Sequence, residues 1–378
     1  MSETQKHTRP NVPNLRFPGF EGGWESCNLG EIANLSKGVG ISKDQRSNDG
    51  NPCILYGELY TTYSTEIIYE VVSRTNLPAK GLVKSEANDV IIPASGETAI
   101  DISTARCVTK SDVYLGGDLN IIRLKGQDGK FFSYQLNGVR KKDIAKVAQG
   151  VSIVHLHGSD LETVKVYYPS RSEQEKVSGL LSLIDQRIAL QSKVIERYES
   201  LIKALAYEII GKTKPNAQVS ELVKCASSSL KESDLSETGG FPAYGAAGLS
   251  GYTEQCLSER DSILITKDGS GVGSLRYVSG RHSFVGTLNS LTPKEGIYLP
   301  YVYYTLVNVN FETYRTGQAI PHIYFKDYGK ESIYCPAYED QVRLAKGLEL
   351  IDVRIEHEKA VLQGLQTIKA YLLSALFI

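Results

Sequence analysis

The residues that could do chemistry lie in turns. Gly269-Ser270-Gly271-Val272-Gly273-Ser274 follows the apolar run Ile263-Leu264-Ile265-Thr266, where glycines could let backbone N–H groups cradle a phosphate. The turn lacks the Lys-Ser/Thr ending of a nucleotide loop. A dinucleotide fold needs a helix next, yet Leu275-Arg276-Tyr277-Val278 reads as a strand. The segment is therefore read as a tight hairpin whose backbone approaches a ligand or a nucleic-acid phosphate. His155 and His157 share one face of a possible strand, with no third ligand nearby. The six cysteines (Cys27, Cys53, Cys107, Cys225, Cys256, Cys335) form no C-x-x-C pair, which argues against zinc and for reduced thiols in a cytoplasmic protein. No nucleophile–base spacing stands out, so a hydrolytic centre is unsupported.

Asn51-Pro52-Cys53-Ile54 resembles the Asn-Pro-Pro-Tyr motif of amino-methyltransferases at two positions only. It lacks the second proline and the aromatic residue that would stack on a base, and no glycine-rich cofactor loop precedes it. It is read as a turn, and the chain as not itself a methyltransferase. In the second half Tyr244, Tyr252, Lys267, Arg276, Tyr277, Arg281 and His282 lie in or beside Gly-rich turns, and such residues can hydrogen-bond base edges and phosphates. Against this, residues 212–335 hold 12 Lys+Arg and 12 Asp+Glu, the balance of an ordinary solvated surface.

Composition sets outer bounds. A formal charge of −1 over 378 residues provides no global field toward nucleic acid or membrane, so any polyanion site must be a local patch. No apolar run of about 20 residues occurs, which argues against a membrane span, and the polar Met1–Arg9 stretch argues against a signal peptide. Tyrosine is over-used, at 23 against 9 Phe and one Trp.

Two long helices must position these turns. Val177, Leu181, Ile184, Ile188, Gln191, Ile195, Tyr198, Ile202, Leu205 and Ile209 recur at alternating steps of 4 and 3. That period of about 3.5 residues marks a coiled-coil seam. The stretch Ser172–Ile210 would form a rod of roughly 58 Å. An offset of 167 (Gln341 minus Gln174) carries the seam onto Leu344, Leu348, Ile351, Ile355, Glu358, Leu362 and Leu365. The lone polar position recurs, Gln191 as Glu358, and is read as fixing the register of the helix pair. Ser170 and Glu173 form a capping-box pattern at the first helix start. Between the helices, short strands and Gly/Asn/Asp turns repeat in order. Leu29-Gly30-Glu31-Ile32 resembles Val219-Ser220-Glu221-Leu222, Asp89-Val90-Ile91-Ile92 resembles Asp261-Ser262-Ile263-Leu264, Gly117–Asn120 resembles Gly286–Asn289, and Gln149 resembles Gln318. Residues 1 to about 14 are expected to be mobile, and Leu15–Phe20 with Trp24 to be docked anchors.

As a set, three groups of residues resemble the specificity subunit of type I restriction–modification systems. They are Leu15-Arg16-Phe17-Pro18-Gly19-Phe20 with Trp24 and Leu29-Gly30-Glu31-Ile32; Phe241–Gly248 with Lys267–Gly273; and the two helix openings Pro169–Arg187 and Pro336–Arg354. The likeness covers nearly the whole chain. It implies an α+β fold of two pseudo-repeated mixed α/β target-recognition domains separated by two long antiparallel coiled-coil helices. The expected parts are an N-terminal arm (1–28), a first domain (29–168), a central helix (169–211), a second domain (212–335) and a C-terminal helix (336–378). The resemblance also implies a non-catalytic subunit that reads a bipartite site in double-stranded DNA, one half per domain. The chain itself would carry no cofactor. Two modification subunits would supply S-adenosylmethionine and methylate adenine, and two restriction subunits would add ATP/Mg-driven translocation and cleavage. Candidate DNA-binding residues are Lys43, Arg46, Tyr56, Glu58, Ser95, Thr98, Arg106 and Gln149 in the first domain. In the second they are Tyr244, Lys267, Asp268, Ser270, Arg276, Arg281, His282 and Gln318. The rival readings are a protein–protein scaffold with two repeat domains on a coiled coil, and an enzyme with an unrecognised motif.

Overall fold

The same antiparallel scaffold is built twice. The computed structural model describes residues 11–150 and 153–378. In the first half a sheet runs in the order Ala33–Lys37, Leu119–Leu124, Asp89–Pro93, Arg106–Val108, with Ile67–Ile68 added in parallel at the edge. In the second the order is Val223–Ser227, Leu288–Pro293, Ser262–Thr266, Leu275–Val278. Asp89–Pro93 and Ser262–Thr266 are buried along their whole length, as near-continuous apolar runs require. A helix packs on each sheet. Gly129–Asn137 contributes Phe131, Phe132 and Tyr134 to one core, and Leu299–Leu306 contributes Val302 and Leu306 to the other. The short helices Leu29–Ile32 and Val219–Leu222 start alike: Glu31 and Glu221 accept from the N–H of Asn28 and Gln218, each at 2.7 Å.

Three expectations need correction. Asn51–Ile54 is a strand, not a turn. It pairs antiparallel with Ser73–Thr75 and parallel with Tyr114–Leu115, and fully buried Cys53 and Ile54 draw it into the sheet. Its counterpart is Phe241–Gly245, which pairs antiparallel with Gly248–Thr253 and parallel with Ser283–Phe284. Second, Glu173 does not complete a capping box: Arg16 takes both its carboxylate oxygens at 2.8 Å and Trp24 donates to it at 3.4 Å. That contact ties down the anchor segment, whose Trp24 is buried against Phe131 and Phe377. Third, the partner of Gln149 in the repeat is Thr316 rather than Gln318, because the turn Gln149–His155 is matched in its backbone bonds by Thr316–His322. The expected mobile stretch falls largely outside the described residues; within it, the Asn11 carbonyl accepts from the Trp24 N–H at 2.6 Å.

The long helices are Arg171–Ala206 and Tyr338–Ala375. The first closes in a π-turn over Tyr207–Gly211, and Ile209, expected in the seam, is exposed there. Contacts divide the chain into two units, one of residues up to Leu190 with Leu362–Ile378, the other Gln191–Val361. In the first unit Val177 and Leu181 share a core with Leu376 and Phe377, while Lys369 reaches Asp185 at 2.7 Å. The two segments thus run in opposite directions. In the second unit Gln191 bonds to Glu358, and Lys359 lies 3.8 Å from Glu199. No helix among the described residues is long and apolar enough to cross a membrane.

Candidate functional site

Each domain has one place where a central strand end meets a turn from far along the chain. Asp89–Pro93 runs out into Ala94-Ser95-Gly96, and Ser262–Thr266 into Lys267-Asp268-Gly269. In the first domain Gln149 and His155 exchange backbone bonds at 2.8 and 2.7 Å, His155 lies opposite Ser95, and the Leu156 N–H donates to Ala94 at 2.9 Å. In the second, Thr316 and His322 exchange bonds at 2.9 and 2.8 Å, His322 lies opposite Asp268, and the Ile323 N–H donates to Lys267 at 2.9 Å. Gly150 (φ 123°) and Gly317 (φ 84°) take the same step of the turn, where a side chain would strike the carbonyl of Ile153 or Ile320. Ser95, Thr98 and Gln149 are thereby gathered in one domain, and Lys267, Asp268, Ser270 and Gln318 in the other.

The side chains at these junctions differ where the backbones agree. Gln149 reaches toward both Asp160 oxygens at 3.5 Å, and the Ser95 hydroxyl donates to Asp118 at 3.2 Å. In the second domain His322 Nδ1 faces Asp268 at 3.4 Å. Paired rings stand beside each turn: His155 and His157 stack with centroids 6.3 Å apart, and His322 and Tyr324 lie 6.1 Å apart. In the sequence His155 and His157 read as exposed or packed histidines, a metal site being unsupported without a third ligand. The offset of 167 found in the helices maps them onto His322 and Tyr324 and would have flagged both pairs.

The remaining candidates are dispersed, and three of them lie in the interior instead of on the expected loop surfaces. Glu58, 5% exposed, accepts from the Leu55 N–H at 2.9 Å and from the Ser73 hydroxyl. Arg106 is buried, its guanidinium donating to the carbonyls of Leu59 and Tyr63 at 3.1 and 2.8 Å. His282 is wholly buried, with Nε2 2.7 Å from the Ser262 hydroxyl and Nδ1 2.8 Å from the Gly280 carbonyl. Burial holds its pKa below the ordinary histidine value, so the ring is neutral, a brace rather than a charged contact. Lys43 is exposed on a short 3-10 turn, Arg46 is exposed and 3.5 Å from Glu58, and Tyr56 packs on the Ile54–Leu59 core. Arg281 pairs with Glu259 at 2.7 Å and lies over the Phe241 ring at 4.6 Å. Arg276 is exposed and lines a small cleft with Gly245, Thr266 and Ser274, and Tyr244 stands edge-on to His282.

Many tyrosines serve as internal donors to carboxylates. Tyr134 donates to Asp185 at 2.6 Å and Tyr304 to Asp352 at 2.5 Å, equivalent bonds in the two copies. Tyr298 reaches Glu349 at 2.6 Å and Tyr277 reaches Asp261 at 2.8 Å. A phenol brings a large apolar ring and one polar tip, which suits anchoring a domain to the carboxylates of a long helix.

A family model described as the type I restriction modification DNA specificity domain matches the chain twice, over residues 21–199 and 212–367. The chain belongs to that family. The two matches coincide with the two scaffolds described above. As a type I specificity subunit the chain is also similar to solved structures over nearly its full length. One is the S subunit of a type I restriction-modification system from M. genitalium, at 20% identity and a TM-score of 0.64, covering 97% of this chain and 99% of that one. Another comes from work on complex assembly and conformational transition of the type I R-M system, at 16% identity and a TM-score of 0.53, covering 97% and 99%. At these identities the likeness is one of fold. No curated protein sequence matches the chain.

Proposed function

We propose that this specificity subunit reads a bipartite DNA sequence, one half with each domain, and directs partner subunits to it. The observation that carries the reading is the doubled junction of strand end and turn. Its backbone bonds repeat, while its side chains change from Ser95, Gln149 and His157 to Asp268, Thr316 and Tyr324. A fixed frame with different hydrogen-bonding groups suits an asymmetric pair of half-sites, because base edges are told apart by donor and acceptor pattern. Exposed Lys43, Arg46, Arg276 and Arg281, with Lys267, are placed among the contacts, where cations suit phosphates and base edges. The long helices act as a spacer: at 36 residues the first is about 54 Å long, enough to bridge half-sites one DNA turn apart, about 34 Å.

The chemistry belongs to partners. Modification subunits carrying S-adenosylmethionine methylate adenine, flipped into their own pocket, and restriction subunits supply ATP-dependent cleavage; this chain contributes no catalytic group. The assembly named for the second solved structure supports such partners. The test is a genome-wide map of methyladenine with and without the gene. One bipartite motif should vanish on deletion, and exchange of residues 219–335 for those of another specificity subunit should rewrite one half only. A map unchanged by deletion would overturn the reading.

A further inference from the structure

We infer that Ile153 and Ile320, at the tips of the two equivalent turns, are apolar contacts to the bases of the two half-sites. The inference rests on the DNA-reading role proposed above and assigns residues to it. Both isoleucines are 61% exposed, and they stand 167 residues apart, the spacing that relates the helices and the turns. Single exposed apolar residues are common, but the same large aliphatic at the same place in two turns that differ at Gln149 and Thr316, and at Val154 and Pro321, is not scatter. The fold gives these side chains no packing duty, since each turn is closed by its own backbone bonds and by a left-handed glycine.

The surroundings identify the ligand chemistry. Around the tips stand hydrogen-bonding groups, Gln149 and Ser95 in one domain and Thr316 and Asp268 in the other. Arg315 is exposed next to the second turn, and Lys326 lies 5.2 Å from the Tyr324 ring centre. An isoleucine has nothing to offer a phosphate. It can cover a thymine methyl or wedge against a base step. The Thr316–His322 turn, closed by its own bonds, presents Ile320 with little further ordering to lose on contact, which favours discrimination.

The experiment uses the full chain assembled with its modification subunits. Binding is measured at fixed salt on a duplex carrying the mapped motif and on duplexes with one half scrambled, for wild type, Ile153→Ser, Ile320→Ser and the Val variants. Each Ser variant should lower the ratio of specific to non-specific affinity about tenfold. Non-specific affinity should hold, because no phosphate contact is lost. Methyladenine maps should relax in one half for Ile153→Ser and in the other for Ile320→Ser. The Val variants, which keep the turn and trim one methylene, should lose about threefold and give the reading if a Ser variant folds poorly. An unchanged ratio, an equal fall on all duplexes, or loss of assembly with the modification subunits at unchanged specificity would each overturn the inference; the last would make the tips protein contacts. Failure of the underlying reading is seen separately, as a wild-type complex with no preference for the motif.

Discussion

Gln191 donates its side-chain amide to the backbone carbonyl of Glu358 at 3.1 Å and to the carboxylate of the same residue, and both residues are buried. They are the lone polar members of two apolar seams. Sliding one helix by a turn would strand both, so the pair favours one alignment. Arg354 also reaches Glu358, at 2.5 Å.

The Gln191 hydrogen bond, and after it Arg354, holds the Glu358 carboxyl below the ordinary glutamate value. A depressed folded pKa gives stability that is present above the unfolded value and lost as pH falls through the folded one. Gln191→Ala should raise the Glu358 pKa toward the ordinary value, so that this contribution fades at a higher pH. Carbon-detected NMR titration of the side chain checks the direction.

Lys369 lies 2.7 Å from both Glu66 and Asp185. Burial pulls the ammonium pKa down, but the two carboxylates outweigh it and hold the pKa above the ordinary lysine value. Lys369→Met should leave two buried carboxylates without their cation and cost about 2–4 kcal/mol, somewhat below the full figure for a buried pair because the lysine side chain keeps 16% exposure. Urea unfolding of the full chain reads this. Adding Asp185→Asn to Lys369→Met should recover part of the loss.

Asp185 and Asp352 hold matching places in the repeat, yet identical substitutions should act oppositely. Asp185 has Lys369; among the described residues Asp352 accepts from Tyr304 and makes no ion pair, and burial raises its pKa. A raised folded pKa favours the fold below the unfolded aspartate value, and that contribution is lost as pH rises through the folded value. At neutral pH the charge of Asp352 therefore weighs against folding. Asp352→Asn, which keeps an acceptor for Tyr304, should hold or raise the melting temperature, within about 1 kcal/mol. Asp185→Asn should cost about 1–3 kcal/mol. Parallel thermal melts at pH 7 decide between these signs.

The buried His282 ring makes the second domain acid-sensitive. Its folded pKa is lowered by burial, so the contribution of the neutral ring is present above the ordinary histidine value and is lost as pH falls through the folded one. His282→Gln should flatten the loss of stability as pH falls below the ordinary histidine value while lowering stability at pH 8, where the Ser262 and Gly280 bonds are disturbed. Melting curves across that range test both effects.

The long helices and the central strands were legible because their signal is periodic: Val177 to Leu205 steps through a seam, and Asp89–Pro93 is apolar over most of its length. The junction was not. Gln149–His155 meets Ser95 through backbone bonds that no side-chain pattern encodes. Glu58, Arg106 and His282 read as loop polar groups because a charged residue in a glycine-rich or tyrosine-rich stretch looks exposed. Each is interior because neighbouring backbone groups, or a serine hydroxyl, satisfy it. Asn51–Ile54 read as a turn because proline suggests one, yet Cys53 and Ile54 outweigh it by burial.

The turns Gln149–His155 and Thr316–His322 close on their own backbone, each around one glycine. Val154 and Pro321 are buried in them, but Gln149, Ile153, Thr316 and Ile320 are not core residues and are open to replacement piecemeal. Such a turn behaves as a cassette: a seven-residue segment moved from one domain to the other, or borrowed from an unrelated copy, would arrive with its hinge included. A lineage could rewrite what it recognises by exchanging a few codons, leaving the frame and the assembly untouched.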